Sequence, residues 1–221
     1  MAFPPKDDAA RLRLPADLER LLHDLRGPLN SAVMHLEVAK RAGVDDPLAK
    51  QSLETIGQEL ARLARMLPAA FSVVALDRGE TAAVDLRAVV DEALRGLGAA
   101  GVIVEEGAWP RVRGDAGLLG LAVSHLVRNA LEATEAAGPG RQPPHVGTAL
   151  GDTQVALVVR DWGTGISNPR TAIRLAASQK PGRSGIGLVA VERIARLHGG
   201  TLAVATPPGG GVEVRLTLPV A

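Results

Sequence analysis

Between residues 53 and 74, seven apolar side chains follow one another at alternating spacings of three and four: Leu53, Ile56, Leu60, Leu63, Leu67, Ala70 and Val74. This is a heptad seam, a narrow stripe that a helix buries only against other helices. An earlier run with similar spacing, Leu18, Leu21, Leu22, Leu25, Leu29, Ala32, Leu36 and Ala39, predicts a second long helix. Gly43-Val44-Asp45-Asp46-Pro47 separates the two, since glycine ends helices and Asp-Asp-Pro begins turns and new helices. Two helices joined by a short turn form an antiparallel hairpin, and a hairpin alone encloses no core. Pairing with a second copy into a four-helix bundle is the expected solution. The division expected is a lead-in over 1–14 and a helical hairpin over 15–78.

After the turn-like Asp77-Arg78-Gly79-Glu80-Thr81 the character changes. Residues 84–97 read as a helix, 102–105 as a short strand, and 115–138 as a strong helix opened by an aspartate N-cap. HVGTALG and TQVALVVRD read as consecutive strands around a Gly-Asp turn. A helix over 185–200, closed by glycines, and a terminal hairpin complete the chain. Helices and strands mixed in this way predict an α+β domain over 82–221, an α/β sandwich with helices on one face of a sheet.

Composition removes several function classes. The chain has no cysteine, so disulfides and thiolate metal sites are excluded. Residues 1–80 carry 11 basic and 12 acidic side chains, the remainder 14 and 12. Neither part is basic enough for nucleic acid, and four aromatic residues offer little base stacking. The long uncharged apolar stretch at 116–127 falls short of the ~20 residues that span a bilayer. No basic-then-apolar signal segment opens the chain, and a soluble, cytoplasmic protein is expected.

The second domain holds two glycine pairs, DWGTGIS at 161–167 and SGIGL at 184–188. Either pair alone also reads as a plain turn. Functionally, glycines let backbone approach phosphates, and amides at a helix N-terminus favour anions. Asn129 lies in the helix HLVRNALEAT, either as a solvated polar side chain or as a neutral oxygen donor for Mg²⁺.

The order of these pieces is more specific than any one of them. Asn129 on a helix, Asp-x-Gly-x-Gly-Ile after a strand, Gly-x-Gly-Leu opening a helix, and His198-Gly199-Gly200 before a hairpin resemble the ATP-binding domain shared by sensor histidine kinases, gyrase, Hsp90 and MutL. The hairpin with His-Asp-Leu-Arg-Gly-Pro-Leu near its start resembles the dimerization and phosphoacceptor module of the histidine kinases. The resemblance covers roughly residues 15–221. It implies ATP and Mg²⁺ as cofactors, Asn129 for Mg²⁺, and Asp161 for the adenine amino group. It further implies Gly163, Gly165, Gly185, Gly187 and Leu188 around the nucleotide, with His125 beside it and Lys180 approaching the phosphates. Members that hydrolyse ATP carry a glutamate four residues before the asparagine. His125 stands there instead, which speaks against a hydrolase.

Other departures are visible. Ala176 and Ala177 stand near the place of the usual phenylalanines, Glu132 occupies a position often held by lysine, and Trp162 replaces a small polar residue at the expected nucleotide rim. The segment between the glycine boxes is short, which predicts a lid that closes poorly over ATP.

Helix geometry selects the phosphoacceptor. At 100° per residue, His23 points about 150° away from the Leu18–Leu25–Leu36 stripe, whereas His35 lies about 90° from it. Free imidazole is largely unprotonated at pH 7 and can attack a γ-phosphoryl directly. Asp24, about 100° further round, can hold or accept the other ring proton, although it also reads as an ordinary surface carboxylate. Pro28 lacks the N–H that would bond the Asp24 carbonyl, and Gly27 relieves the strain before it, so a bend is expected just after the reactive pair. Pro68 is expected at a similar height on the second helix.

The resemblance implies a two-component histidine kinase that phosphorylates His23 and passes the phosphoryl group to a response-regulator aspartate. Its partners would be a second copy through the hairpin and a receiver domain, with room for a separate sensor protein; no nucleic acid and no membrane span are expected. Gly27, four residues after His23, lacks the side chain that orients water in relatives that dephosphorylate their regulator, so weak phosphatase activity is expected. The rivals are a histidine phosphotransfer protein with a vestigial nucleotide domain and an ATP-regulated interaction module.

Overall fold

The structure is a computed structural model that describes residues 16–42, 46–166, 168, 169, 173 and 186–221, excepting the side chains of 16–21 and 69. It divides into two compact units, residues 1–60 and residues 61–221.

The first unit contains helix α1 (Ala16–Arg41) and the opening half of α2 (Pro47–Val74). Proline suits the first helical position, where its missing N–H costs nothing, and the Asp46 carboxylate accepts from Leu48 N at 2.8 Å. Pro28 lies inside α1 and Pro68 inside α2. Both helices continue through their prolines, so each proline leaves an unmade bond and not an end. Ala32, Ala49 and Ser52 are buried, but Leu29, Leu36, Leu53 and Leu60 of the apolar stripes remain 41–57% exposed. One chain therefore does not cover the seam that its sequence writes.

The second unit is a layered α+β domain. Strand β1 (Ala82–Asp85) leads directly into α3 (Leu86–Leu97), because Asp85 ends the strand and caps the helix, accepting from Ala88 N. Strand β2 (Ile103–Val104) and β3 (Arg111–Gly114) precede α4 (Ala116–Ala136). Then follow β4 (His145–Leu150), β5 (Gln154–Arg160), α5 (Gly187–Leu197), β6 (Thr201–Ala205) and β7 (Glu213–Pro219). A five-stranded sheet runs β2-β4-β5-β7-β6, and β1 pairs only with β3. The sequence reading placed no strand at β1 or β3. Each is four residues long, too short to show a period, and their pairing is decided by a partner almost thirty residues away.

Register follows from burial. Val155, Leu157 and Val159 of β5 stand opposite Leu218, Leu216 and Val214 of β7, and Val146 of β4 stands opposite Val159. All seven are buried, and slipping any strand by one residue would turn its set to the other face. They join Leu119, Val123 and Leu126 of α4, Val191 and Ile194 of α5, and Leu86 and Val90 of α3 in one aliphatic core. The core thus fixes α4 and α5 side by side across the sheet, and these two helices carry Asn129 and Gly187.

Candidate nucleotide site

The start of α4 is anchored at three points. Asp115 caps it, accepting from Leu118 N and from Gly79 N, each at 3.0 Å. These backbone donors, Leu118 first, hold the Asp115 carboxyl below its ordinary value. Its own N–H donates to Nε2 of His198 at 3.0 Å, and His198 Nδ1 lies 2.7 Å from the Ile194 carbonyl. Since Nε2 accepts, Nδ1 carries the proton and donates. The buried His198 is therefore a structural tie between the C-terminus of α5 and the N-terminus of α4. Arg193 donates to the Leu76 carbonyl and Arg78 to the Leu197 carbonyl, fastening the segment after α2 to α5.

Two turns further along α4, Leu126, Val127 and Ala130 face the core while Asn129 is exposed and His125 half-buried. One helical turn apart, they lie on one side, and α5 begins against that side. A methyl added to Gly187 would sit 3.3 Å from Asn129 Nδ2 and 3.6 Å from His125 Nδ1. Burial, and secondarily the Arg128 charge, hold the His125 pKa below its ordinary value. A neutral imidazole and a carboxamide thus face the first helical glycine. Leu188 follows, half-buried and packed on the core.

Asp161, at the end of β5, is 6% exposed. Its Oδ1 accepts from Gly163 N at 2.9 Å and from Val212 N at 3.2 Å, and its own N–H donates to the Val212 carbonyl at 2.9 Å. The loop after it runs along α4 so closely that a side chain at Gly163 would strike the Ala133 carbonyl, one turn beyond Asn129. Only glycine fits. Gly165 has φ of 73° and borders Gly211.

Asn129, His125, Gly187, Asp161, Gly163 and Gly165 are thus carried by α4 and the segments packed on it. Lys180 and Gly185 lie outside the described residues, as do Ala176 and Ala177. The resemblance carried no signal for Gly211 and Val212, which hold Asp161 from the β6–β7 turn; the Pro-Pro-Gly-Gly-Gly run at 207–211 marks that turn without saying what it touches. Trp162 packs edge-on against His145 with centroids 4.7 Å apart and lies under the Arg160 guanidinium at 5.1 Å. Among the described residues no three His, Asp or Glu side chains gather as a metal cluster. Magnesium takes hard oxygen donors and commonly keeps substrate phosphates in its shell, and the Asn129 carboxamide oxygen is a donor of that kind.

In the first unit the imidazole of His23 is 73% exposed, with Nδ1 3.7 Å from Oδ1 of Asp24, whose side chain is only 8% exposed. His35 is half-buried and its Nδ1 is enclosed without a hydrogen-bond partner among the described residues. Solvent access therefore separates the two histidines in the way that helical angle predicted.

Residues 114–221 match the family described as histidine kinase-, DNA gyrase B- and HSP90-like ATPase. The adaptive-response sensory kinase SasA of Synechococcus sp. (strain JA-2-3B'a(2-13)) is 28% identical over 97% of this chain and 63% of its own length. The sensor histidine kinase MtrB of Mycobacterium tuberculosis (strain ATCC 25618 / H37Rv) is 29% identical over 90% of this chain. The chain carries the ATP-binding catalytic core of a sensor histidine kinase.

A mycobacterial sensor histidine kinase, MprB, has a solved structure that covers 64% of this kinase core at 27% identity and a TM-score of 0.51. The full-length ShkA structure in complex with AMPPNP covers 94% at 22% identity and 0.53, a likeness of fold. The core spans 63% of SasA and 38% of MtrB, less than two thirds of either relative. No helix among its described residues is long and apolar enough to cross a membrane.

Proposed function

We propose that the chain is an ATP-dependent, autophosphorylating histidine kinase of a two-component system, with His23 as acceptor and a response-regulator aspartate as the next recipient. What supports it most is the convergence of Gly187, Asn129 and His125 at one junction, with Asp161 held by two backbone N–H groups nearby. A vestigial nucleotide domain, as in the phosphotransfer alternative, would have no need of so constrained a carboxylate.

In the first step, His23 Nε2 attacks the γ-phosphorus of ATP. An N–P bond forms, the bond from phosphorus to the bridging oxygen of ADP breaks, and the proton on Nδ1 passes towards Asp24. That carboxylate lies 3.7 Å from Nδ1, just beyond hydrogen-bond reach. Asn129 would hold Mg²⁺, whose charge would offset that of the phosphates, Asp161 would read the adenine amino group, and Gly163, Gly165 and Gly187 would let backbone approach the nucleotide, with Gly185 and Lys180 given the same neighbourhood by the resemblance alone. His125, half-buried and with its pKa held below its ordinary value by burial, stands where hydrolysing relatives carry the glutamate that activates water. That favours transfer to protein. The exposed Leu29, Leu36, Leu53 and Leu60 suit pairing with a second copy, and a receiver domain is the second partner. A separate sensor protein and a cytoplasmic location complete the reading.

The test is incubation with γ-labelled ATP and Mg²⁺. Acid-labile, base-stable label is expected on the chain, absent in His23→Gln and Asn129→Asp and retained in His35→Gln. Label that persists in His23→Gln would remove His23 from the mechanism.

A further inference from the structure

Arg160 closes β5 immediately before Asp161, and the site as described above gives it no task. Its Nη2 donates to the Gly210 carbonyl at 2.6 Å, its guanidinium lies over the Trp162 ring, and its Nη1 is enclosed without a hydrogen-bond partner among the described residues. An arginine held with one unbonded, enclosed nitrogen is a costly way to pack a sheet. The carbonyl that it grips explains the position better.

Gly209, Gly210 and Gly211 have φ of 95°, 84° and 69°, a run that only glycine adopts readily and that carries a large backbone entropy when unrestrained. The next residue, Val212, donates its N–H to Asp161 Oδ1 and accepts the Asp161 N–H. Gly211 lies so close that a side chain there would strike the Asp161 carbonyl. The turn that orients Asp161 is thus a floppy sequence, and the Arg160 side chain bonds its middle residue.

We propose that Arg160 is a positioning residue for purine recognition: by clamping the Gly210 carbonyl it fixes the β6–β7 turn, so that Val212 N–H sets the plane of the Asp161 carboxylate for a purine 6-amino group. The proposal rests on the nucleotide reading of Asp161 given above. Arg160 acts through the turn and touches no reacting atom.

A structural clamp and a positioning residue differ in which ligand they affect. Binding of ADP and of purine riboside diphosphate, which lacks the 6-amino group, is measured by calorimetry on the full chain, its Arg160→Met and its Arg160→Lys variants. Methionine keeps an unbranched stem against Trp162 and removes the donors. Lysine restores one donor for Gly210. The unmodified chain is expected to prefer ADP by about tenfold or more, since a site built to bond an amino group rejects the analogue without it. Arg160→Met is expected to lose about five- to tenfold in ADP affinity and less than about twofold for the analogue, and Arg160→Lys to recover most of the preference. Equal losses for both ligands, or none for either, would overturn the positioning role and leave the nucleotide site intact. An unmodified chain that binds ADP and the analogue equally, or binds neither, would instead overturn the reading of Asp161, and the proposal with it.

Discussion

The two units solve the burial of leucine in opposite ways. In residues 61–221, Leu86, Leu119, Leu126, Leu157, Leu216 and Leu218 are all sealed between one sheet and three helices. In residues 1–60, Leu29, Leu36, Leu53 and Leu60 point their stripes into solvent. A sheet covered by helices closes its own core within one chain, whereas a helical hairpin has a second apolar side with nothing against it. Among the described residues, one unit closes its own core and the other leaves its stripes uncovered. The chemistry divides along the same line, with the buried, rigid carboxylate Asp161 in the closed unit and the exposed imidazole of His23 in the open one. Under the proposed function a nucleotide would have to be gripped, while a phosphoacceptor would have to be offered to two different partners in turn.

The sharpest way to break this comparison is to truncate one leucine from each unit. Leu126→Ala is expected to destabilise the ATP-binding unit by about 2–5 kcal/mol, the usual cost of emptying a sealed site. Leu60→Ala is expected to leave that unit's unfolding unchanged and to weaken self-association. Denaturant titration with a tryptophan signal, run beside sedimentation at several concentrations, reads both. Equal destabilisation of the ATP-binding unit by the two would show that the seam is not a surface for a second copy.

A smaller effect is expected at the anchor of α4. Asp115→Ala removes the cap that accepts from Leu118 and Gly79, at a cost of about 0.5–2 kcal/mol, while Asp115→Asn keeps an acceptor and should cost less. Because the carboxyl is held below its ordinary value, its contribution is full above the unfolded pKa near 3.8. It is lost as pH falls through the folded value. Thermal denaturation between pH 3 and 7 checks this; an acid dependence that is unchanged in Asp115→Ala would remove the cap from the account.

The smallest expected effect is a pH signature at His125. Its folded pKa lies below the ordinary value of 6.5, so the native state binds fewer protons than the unfolded chain in that window. Stability therefore falls as pH drops below about 6.5 and towards the folded value. His125→Gln should flatten that part of the profile, and an equally steep profile in the variant would assign the dependence to another group.

Much of this molecule could be read without coordinates because its signals are local. The three-and-four spacing of Leu53 to Val74, the aspartate before α4, and the glycines after Asp161 each state a backbone requirement within a few residues. Helical angle alone turned His23 to solvent, and the exposed imidazole agrees. The readings that failed or were never made concern contacts between distant segments. Strands β1 and β3 escaped notice because four residues carry no period. His198 read as a family landmark, and only the fold shows it bonding Asp115 across 83 positions.

What the sequence determined by itself is the set of parts: two long helices with an unfinished seam, an α+β domain, a histidine set apart from its stripe, and glycines where backbone must come close. Periodicity, capping and steric freedom act over one or two turns, so they are written in the order of residues. What tertiary structure alone decided is which parts meet. Gly187 comes to lie against Asn129, and Val212 bonds Asp161 from a turn 51 residues away. Such meetings are set by how a whole aliphatic core packs, and no short stretch of the chain contains that information.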